Sequence, residues 1–271
     1  VIGLTALSVV TLLWNLDRGQ TWIPLGAAIG AGFVGLLDDI INLRSSGRGT
    51  AGLNFKIKLL LTTLIAAALS FWFVYRVGYS SIHIPFEGTF MIAAPLLFLF
   101  FVFVIIATAN AVNITDGLDG LAGGLLVTAF ASFGLIAFLQ GNFGLAGFCL
   151  TMVGVLLSYL WFNIFPARFF MGDVGSFAFG TSLAVVAIMF NATLLIPVIG
   201  FVFVLEVASA ALQIASKKIL KRKIFISAPI HHHFEAKGWP ETKVTMRFWI
   251  LGQVFAVIGL LFAVLGGFLS L

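Results

Sequence analysis

Residues 120–167 read GLAGGLLVTAFASFGLIAFLQGNFGLAGFCLTMVGVLLSYLWFNIFPA, 48 residues without one charged side chain. A helix needs about 20 apolar residues to cross a hydrocarbon core, with a range of about 17–25. The run is too long for one crossing. Gln140-Gly141-Asn142 lies near its middle and supplies turn chemistry. The run therefore predicts two antiparallel spans joined by a hairpin. Further charge-free runs lie at 1–16, 19–37, 59–75, 88–115, 174–205 and 248–271. Another span is expected from just after Asn191 to about Ser216, with Glu206 inside it. The total is about nine.

Composition agrees. Hydrophobic residues make up 61% of the 271 and charged residues only 9%, with mean hydropathy +1.15. Soluble domains carry about 45–50% apolar and about 25% charged residues. Soluble globular and disordered chains are thus excluded. The fold class expected is all-α: a polytopic transmembrane helical bundle, one integral membrane domain over 1–271. The single cysteine, Cys149, lies in an apolar stretch and excludes a disulfide framework or a cysteine-based zinc cluster. Fifteen basic residues against ten acidic ones speak of topology and anionic membrane lipids, with no nucleic acid partner.

Orientation follows from Lys and Arg. Arg44, Arg48, Lys56, Lys58, Arg168, Lys217, Lys218, Lys221, Arg222, Lys223, Lys237, Lys243 and Arg247 fall on one side, and only Arg18 and Arg76 on the other. The richer side is expected to be cytoplasmic. Val1 then begins inside and the C-terminus ends outside. The outer segment 79–88 alternates and turns, which predicts a short β-hairpin.

Five of the ten acids, Asp38, Asp39, Asp116, Asp119 and Asp173, fall at or near cytoplasmic ends of spans. A carboxylate at the centre of a span costs about 2.5–3.5 kcal/mol on insertion scales. Five at one level predict a wet cavity open to the cytosol, with cations as partners. Asp38 and Asp39 are adjacent, so their carboxylates point about 100° apart on a helix. One can face a metal or a proton while the other takes a neighbouring helix; a polar helix end is the plainer alternative. Asn113, Asp116 and Asp119 are spaced i, i+3, i+6 and share one face if helical. Thr115 or Asp116 can cap the next helix, or the stretch is simply a capped, glycine-rich turn. Asp173, bracketed by Gly172 and Gly175 at a helix start, can hold a hard cation such as Mg²⁺ or serve as a plain N-cap. Asn163 precedes it by ten residues.

His231-His232-His233 lies in the cytoplasmic segment 217–246. Three consecutive side chains project in three directions and cannot all chelate one ion. Donation by one or two of them to phosphate or carboxylate is better chemistry, with an accidental surface run as the alternative. The Lys217–Lys223 cluster reads as a lipid-facing anchor. Glu206 is expected to be partnered within the bundle or near its cytoplasmic end. Together these features suit magnesium-assisted phosphoryl transfer to a lipid. The rival class is a cation-coupled transporter, but its acids belong near mid-bilayer in repeated halves, and no repeat is evident.

The motifs Gly35-Leu-Leu-Asp-Asp39, Gly52-Leu-Asn-Phe-Lys56, Asn113-Ile-Thr-Asp-Gly-Leu-Asp-Gly-Leu-Ala122, Phe170-Met-Gly-Asp-Val-Gly-Ser176 and Ala228-Pro-Ile-His-His-His-Phe-Glu-Ala-Lys-Gly-Trp239 span essentially the whole chain. They resemble the bacterial phospho-N-acetylmuramoyl-pentapeptide transferases, the MraY family, within the polyprenyl-phosphate N-acetylhexosamine-1-phosphate transferases. The Pro-Ile-His-His-His-Phe-Glu stretch distinguishes that family from sister enzymes that use N-acetylglucosamine. The resemblance implies a ten-span, Mg²⁺-dependent, commonly homodimeric enzyme of the bacterial cytoplasmic membrane, with its site facing the cytoplasm. Its reaction joins UDP-N-acetylmuramoyl-pentapeptide to undecaprenyl phosphate, giving lipid I and UMP for peptidoglycan synthesis.

Carried over by position, the resemblance implies that Asp38 or Asp39 deprotonates or positions the lipid phosphate and that Asp173 binds Mg²⁺. Asp116, Asp119 and Phe170 would line the uridine region, with Phe170 stacked on uracil. Asn113 and Asn163 would support the polar site, and Lys56, His231, His232 and His233 would contact phosphate or shape the pocket. Two departures stand out. Asn42 occupies the position where the family usually has lysine, so Arg44 or Lys56 is expected to supply that charge. The family's first span and its following loop have no counterpart before Val1, which suggests a chain short at its N-terminus.

Overall fold

A computed structural model describes residues 1–14, 18–45 and 53–268. Asp17, Arg48 and Gly52 lie outside the described residues, as do the side chains of Arg18 and Arg44. The chain is helical nearly throughout: α1 (Ile2–Trp14), α2 (Arg18–Ser45), α3 (Phe55–Phe71), α4 (Ala94–Thr115), α5 (Leu121–Leu139), α6 (Phe143–Asn163), α7 (Gly172–Met189), α8 (Ile196–Ile199), α9 (Phe201–Ile219), α10 (Ile230–Ala236) and α11 (Glu241–Leu265). Seven of these are long and apolar enough to cross a membrane among the described residues, or eight if a bent pair counts as one span. The first expected run, 1–16, corresponds to the shorter α1. An all-α polytopic membrane fold is therefore what the chain adopts.

The hairpin expected within 120–167 is present. Gly141 takes φ 74°, and the Asn142 side chain accepts from Leu145 N–H to start α6. The expected β-hairpin is present too: β1 (Ser81–Ile84) pairs antiparallel with β2 (Gly88–Met91), with Ser81 opposite Met91. It extends a few residues beyond the expected 79–88.

The expected span from Asn191 to Ser216 is not one straight helix. Thr193–Ile199 and Phe201–Ile219 meet at 81°. Pro197 lacks an N–H, and the Gly200 N–H closes α8 on the Ile196 carbonyl at 2.7 Å. A Cβ on Gly200 would sit 2.8 Å from that same carbonyl, so the break requires glycine there.

Helix α7 is the centre of the bundle. From Val174 to Ile188 it is buried on all sides, as its small residues permit. It packs against α2 on one side and α4 on the other. The α2 contact is close: a Cβ on Gly35 would lie 2.2 Å from the Asp173 carbonyl oxygen. One turn beyond Gly35, α2 therefore delivers Asp38 and Asp39 to the N-terminus of α7.

Candidate functional site

Asp38, Asp39 and Asp173 come together where α2 meets α7. One oxygen from each lies within 4.8 Å of the other two. The adjacent pair divides its work as its helical spacing requires. Asp38, 7% exposed, turns towards α3: its Oδ1 accepts from Leu53 N–H at 2.6 Å, and its Oδ2 lies 2.9 Å from Lys58 Nζ. Asp39 turns to the start of α7, where its oxygens accept from the Asp173 and Val174 N–H groups at 3.4 Å each. A carboxylate there meets the free N–H groups and the positive end of the helix dipole.

Asp173 is the second residue of α7 and does not cap its own helix. Its Oδ2 pairs with Lys58 Nζ, and its Oδ1 accepts from Asn113 Nδ2 at 2.7 Å. Asn113 also donates to Ser176 Oγ at 2.9 Å. Lys58 thus joins two acids from two helices, half-buried between them. Lys56, the lysine expected here, is exposed; Asn54 accepts from its backbone N–H at the start of α3. The two lysines are two residues apart and leave the helix about 200° apart, so only one can face the acids.

Asp116 and Asp119 do not share a helical face with Asn113. Helix α4 ends at Thr115, Asp116 leaves helical geometry at φ −77° and ψ 50°, and α5 starts after Gly120 at φ 75°. Neither Thr115 nor Asp116 caps α5: Gly120 holds the cap position, where no L side chain fits comfortably. The turn between the helices is gripped instead from several sides. Glu241 Oε1 accepts from Asp119 N–H at 2.6 Å, and Asp119 Oδ2 accepts from Ala167 N–H at 2.8 Å. Asn163 accepts from Gly120 N–H at 3.0 Å and donates to the Phe169 carbonyl at 3.0 Å. Trp249 Nε1 donates to the Gly120 carbonyl at 3.1 Å. Asp116 keeps its carboxyl near the acid cluster. Burial, and then the charges of Asp173 and Asp119, push it up to about 7.

Phe170 is 72% exposed, in the segment leading into α7. Its neighbour Phe169 stacks on Phe162 with centroids 5.5 Å apart. The three histidines take three different partners, as consecutive side chains must. His231, buried, meets Glu206 Oε2 at 2.8 Å. His232 meets Glu235 Oε2 at 2.6 Å, and His233 Nδ1 accepts from Ile226 N–H at 3.1 Å. Glu206 is therefore partnered within the bundle, as expected.

Oxygen donors at this spacing suit a small hard cation. Mg²⁺ takes oxygens at about 2.0–2.1 Å, which puts opposite ligands roughly 4.2 Å apart. The acids at 38, 39 and 173 lie within reach of that geometry. Their three negative charges exceed the one positive charge of Lys58, which leaves room for a divalent ion.

Sequence reasoning missed Lys58 as part of the site, along with Ser176 and Glu241. A signal for Lys58 was present. Thr62, Ala66 and Ser70 follow it at intervals of four and are all buried, so Lys58 heads the inward stripe of α3.

A family model described as glycosyl transferase family 4 matches residues 21–191, more than half of the chain. The match takes in the acid cluster, Lys58, Asn113, the 116–119 turn, Asn163 and Phe170. The chain belongs to glycosyl transferase family 4, the family of polyprenyl-phosphate hexosamine-1-phosphate transferases.

Proposed function

We propose that this protein transfers phospho-N-acetylmuramoyl-pentapeptide from its UDP carrier to undecaprenyl phosphate, forming lipid I and releasing UMP. The observation that carries the reading is the junction of Asp38, Asp39 and Asp173 with Lys58 at one end of an apolar bundle. The charge bias of the loops supports a cytoplasmic face for that end. An apolar cavity of about 430 Å³ between α4, α7 and the bent α8–α9 pair supports a lipid acceptor. It is lined by Phe100, Thr108, Leu183, Pro197 and Phe203. Thr108 and Ala111 of that lining lie on α4 within two turns of Asn113.

In this reading a lipid phosphate oxygen attacks the sugar-linked phosphorus, and the bond to the UMP oxygen breaks. Asp38 or Asp39 takes the proton of the lipid phosphate or fixes its position. Asp173, with that pair beside it, holds Mg²⁺, which supplies neutralisation of phosphate charge when bound. Asn113 orients Asp173 by donating to Oδ1. Lys58 exchanges one of its carboxylate contacts for a phosphate oxygen and takes the charge role that Asn42 cannot fill. The Asp116–Asp119 turn and Phe170 receive the uridine; exposure leaves the Phe170 ring free to stack. His232 and His233 shape the sugar and peptide side of the pocket. The protein works as one multi-pass domain of the bacterial cytoplasmic membrane, as a homodimer.

The test is UMP release by purified protein given polyprenyl phosphate and either UDP-N-acetylmuramoyl-pentapeptide or UDP-N-acetylglucosamine. Turnover of the muramoyl donor at least tenfold faster is the expected result. Equal or faster turnover of UDP-N-acetylglucosamine moves the protein to the sister transferases. Absence of UMP release with both donors overturns the reading.

A further inference from the structure

Glu206 touches none of the acids at the helix junction, yet it is fully buried in α9. Its Oε2 lies 2.8 Å from His231 Nδ1, and His231 is 1% exposed. The contact fixes the orientation of the ring, and a carboxylate at 206, which only accepts, puts the proton of this bond on Nδ1. The opposite nitrogen, Nε2, has no hydrogen-bond partner among the described residues, and neither does Glu206 Oε1. Nε2 is aimed at Gly117: a Cβ there would stand 2.5 Å from it. A buried nitrogen without a partner is costly, and it is kept at the back of the turn that carries Asp116 and Asp119. Glu241, Asn163 and Trp249 grip that turn from Asp119 onwards. The imidazole edge meets it earlier, beside Asp116.

We propose that Glu206 is a positioning residue for the nucleotide subsite. Through His231 it sets the height of the Asp116–Asp119 turn, and it ties that turn to α9, which also lines the apolar cavity through Phe203 and Val207. This rests on the reading of the turn as the place where uridine binds.

Two measurements on the full chain in detergent test it. The first is the nitrogen NMR spectrum of histidine-labelled protein, with the His231 signals identified by their loss in His231→Gln. Wild type should show Nδ1 protonated and hydrogen-bonded, and Glu206→Gln should shift that signal. The second is UMP affinity by calorimetry in the presence of Mg²⁺. Glu206→Gln and Gly117→Ala should each weaken it about tenfold. The double variant should lose no more than the worse single one, because both act on one contact. KM for the donor should rise in step while kcat falls less than about threefold. A His231 signal unmoved in Glu206→Gln overturns the proposal. So do UMP affinities within twofold of wild type, or losses that multiply in the double variant. If Glu206→Gln does not fold, Gly117→Ala decides the affinity arm from the other side of the contact. Failure of wild type to bind UMP overturns the nucleotide reading itself; normal wild-type binding with unaffected variants overturns only the role of Glu206.

Discussion

Lys58 Nζ lies 2.9 Å from Asp38 Oδ2, and the same ammonium pairs with Asp173 on another helix. Residues 115 positions apart in sequence are thereby held at one point, and the cation shared by the two acids comes from α3. Replacing Lys58 by glutamine should lower UMP release by more than about a hundredfold, because the cation that pairs with Asp38 and Asp173, and is proposed to meet phosphate, is lost from a partly dry site. Lys56→Gln, two residues away and exposed, should stay within about twofold. Similar losses in both variants would remove Lys58 from the site.

Asp173 should be the least replaceable acid. An asparagine there keeps shape and the contact to Asn113 but has no charge for Mg²⁺. Asp173→Asn should remain folded, with a melting temperature near that of wild type, while turnover falls by more than about a hundredfold. Near-normal Mg²⁺-dependent turnover in this variant would show that the metal is held elsewhere.

Asp116 gives a pH dependence with a definite sign. Its carboxyl is pushed from the ordinary 3.8 up to about 7, so the folded state binds a proton that the unfolded chain has released. Its contribution to stability is fully present below about pH 4 and is lost as pH rises to about 7. In metal-free buffer, melting temperature should therefore fall more steeply from pH 5 to pH 8 in wild type than in Asp116→Asn. Equal slopes would show that Asp116 is not held in that environment.

Gly35 controls the approach of α2 to α7. Any Cβ at 35 meets the Asp173 carbonyl, so Gly35→Val must push the helices apart. Overpacking of this kind costs about 1–3 kcal/mol. It also moves Asp38 and Asp39 relative to Asp173, and a shift of about 1 Å can cost about a hundredfold in rate. Both melting temperature and UMP release should drop. A fully active Gly35→Val would mean that the spacing of these acids is not critical.

Much of the fold was legible because charge-free length is a one-dimensional signal. The 120–167 hairpin could be placed from Gln140-Gly141-Asn142 alone. The cost of acids in lipid led to an expectation that five of them gather, and the structure groups three, Asp38, Asp39 and Asp173. The rest depends on geometry that spacing does not carry. The interval from Asn113 to Asp119 reads as one helical face, but Gly120 at positive φ turns the chain between them. The break at Gly200 was hidden because its neighbours are uniformly apolar. Lys56 and Lys58 look alike in a motif, and only the inward stripe through Thr62, Ala66 and Ser70 separates them. The partners of Glu206 and Glu241 lie 25 and 122 residues away, beyond any local pattern.

The most direct measurement follows UMP and lipid product together, with purified protein, polyprenyl phosphate and UDP-N-acetylmuramoyl-pentapeptide, before and after removal of Mg²⁺ by chelation. The expected result is one UMP released for each lipid-linked sugar formed, only when both substrates are present, abolished by the chelator and restored by added Mg²⁺. UMP release without lipid product, or turnover that survives the chelator unchanged, would contradict a metal-assisted transfer at Asp38, Asp39 and Asp173.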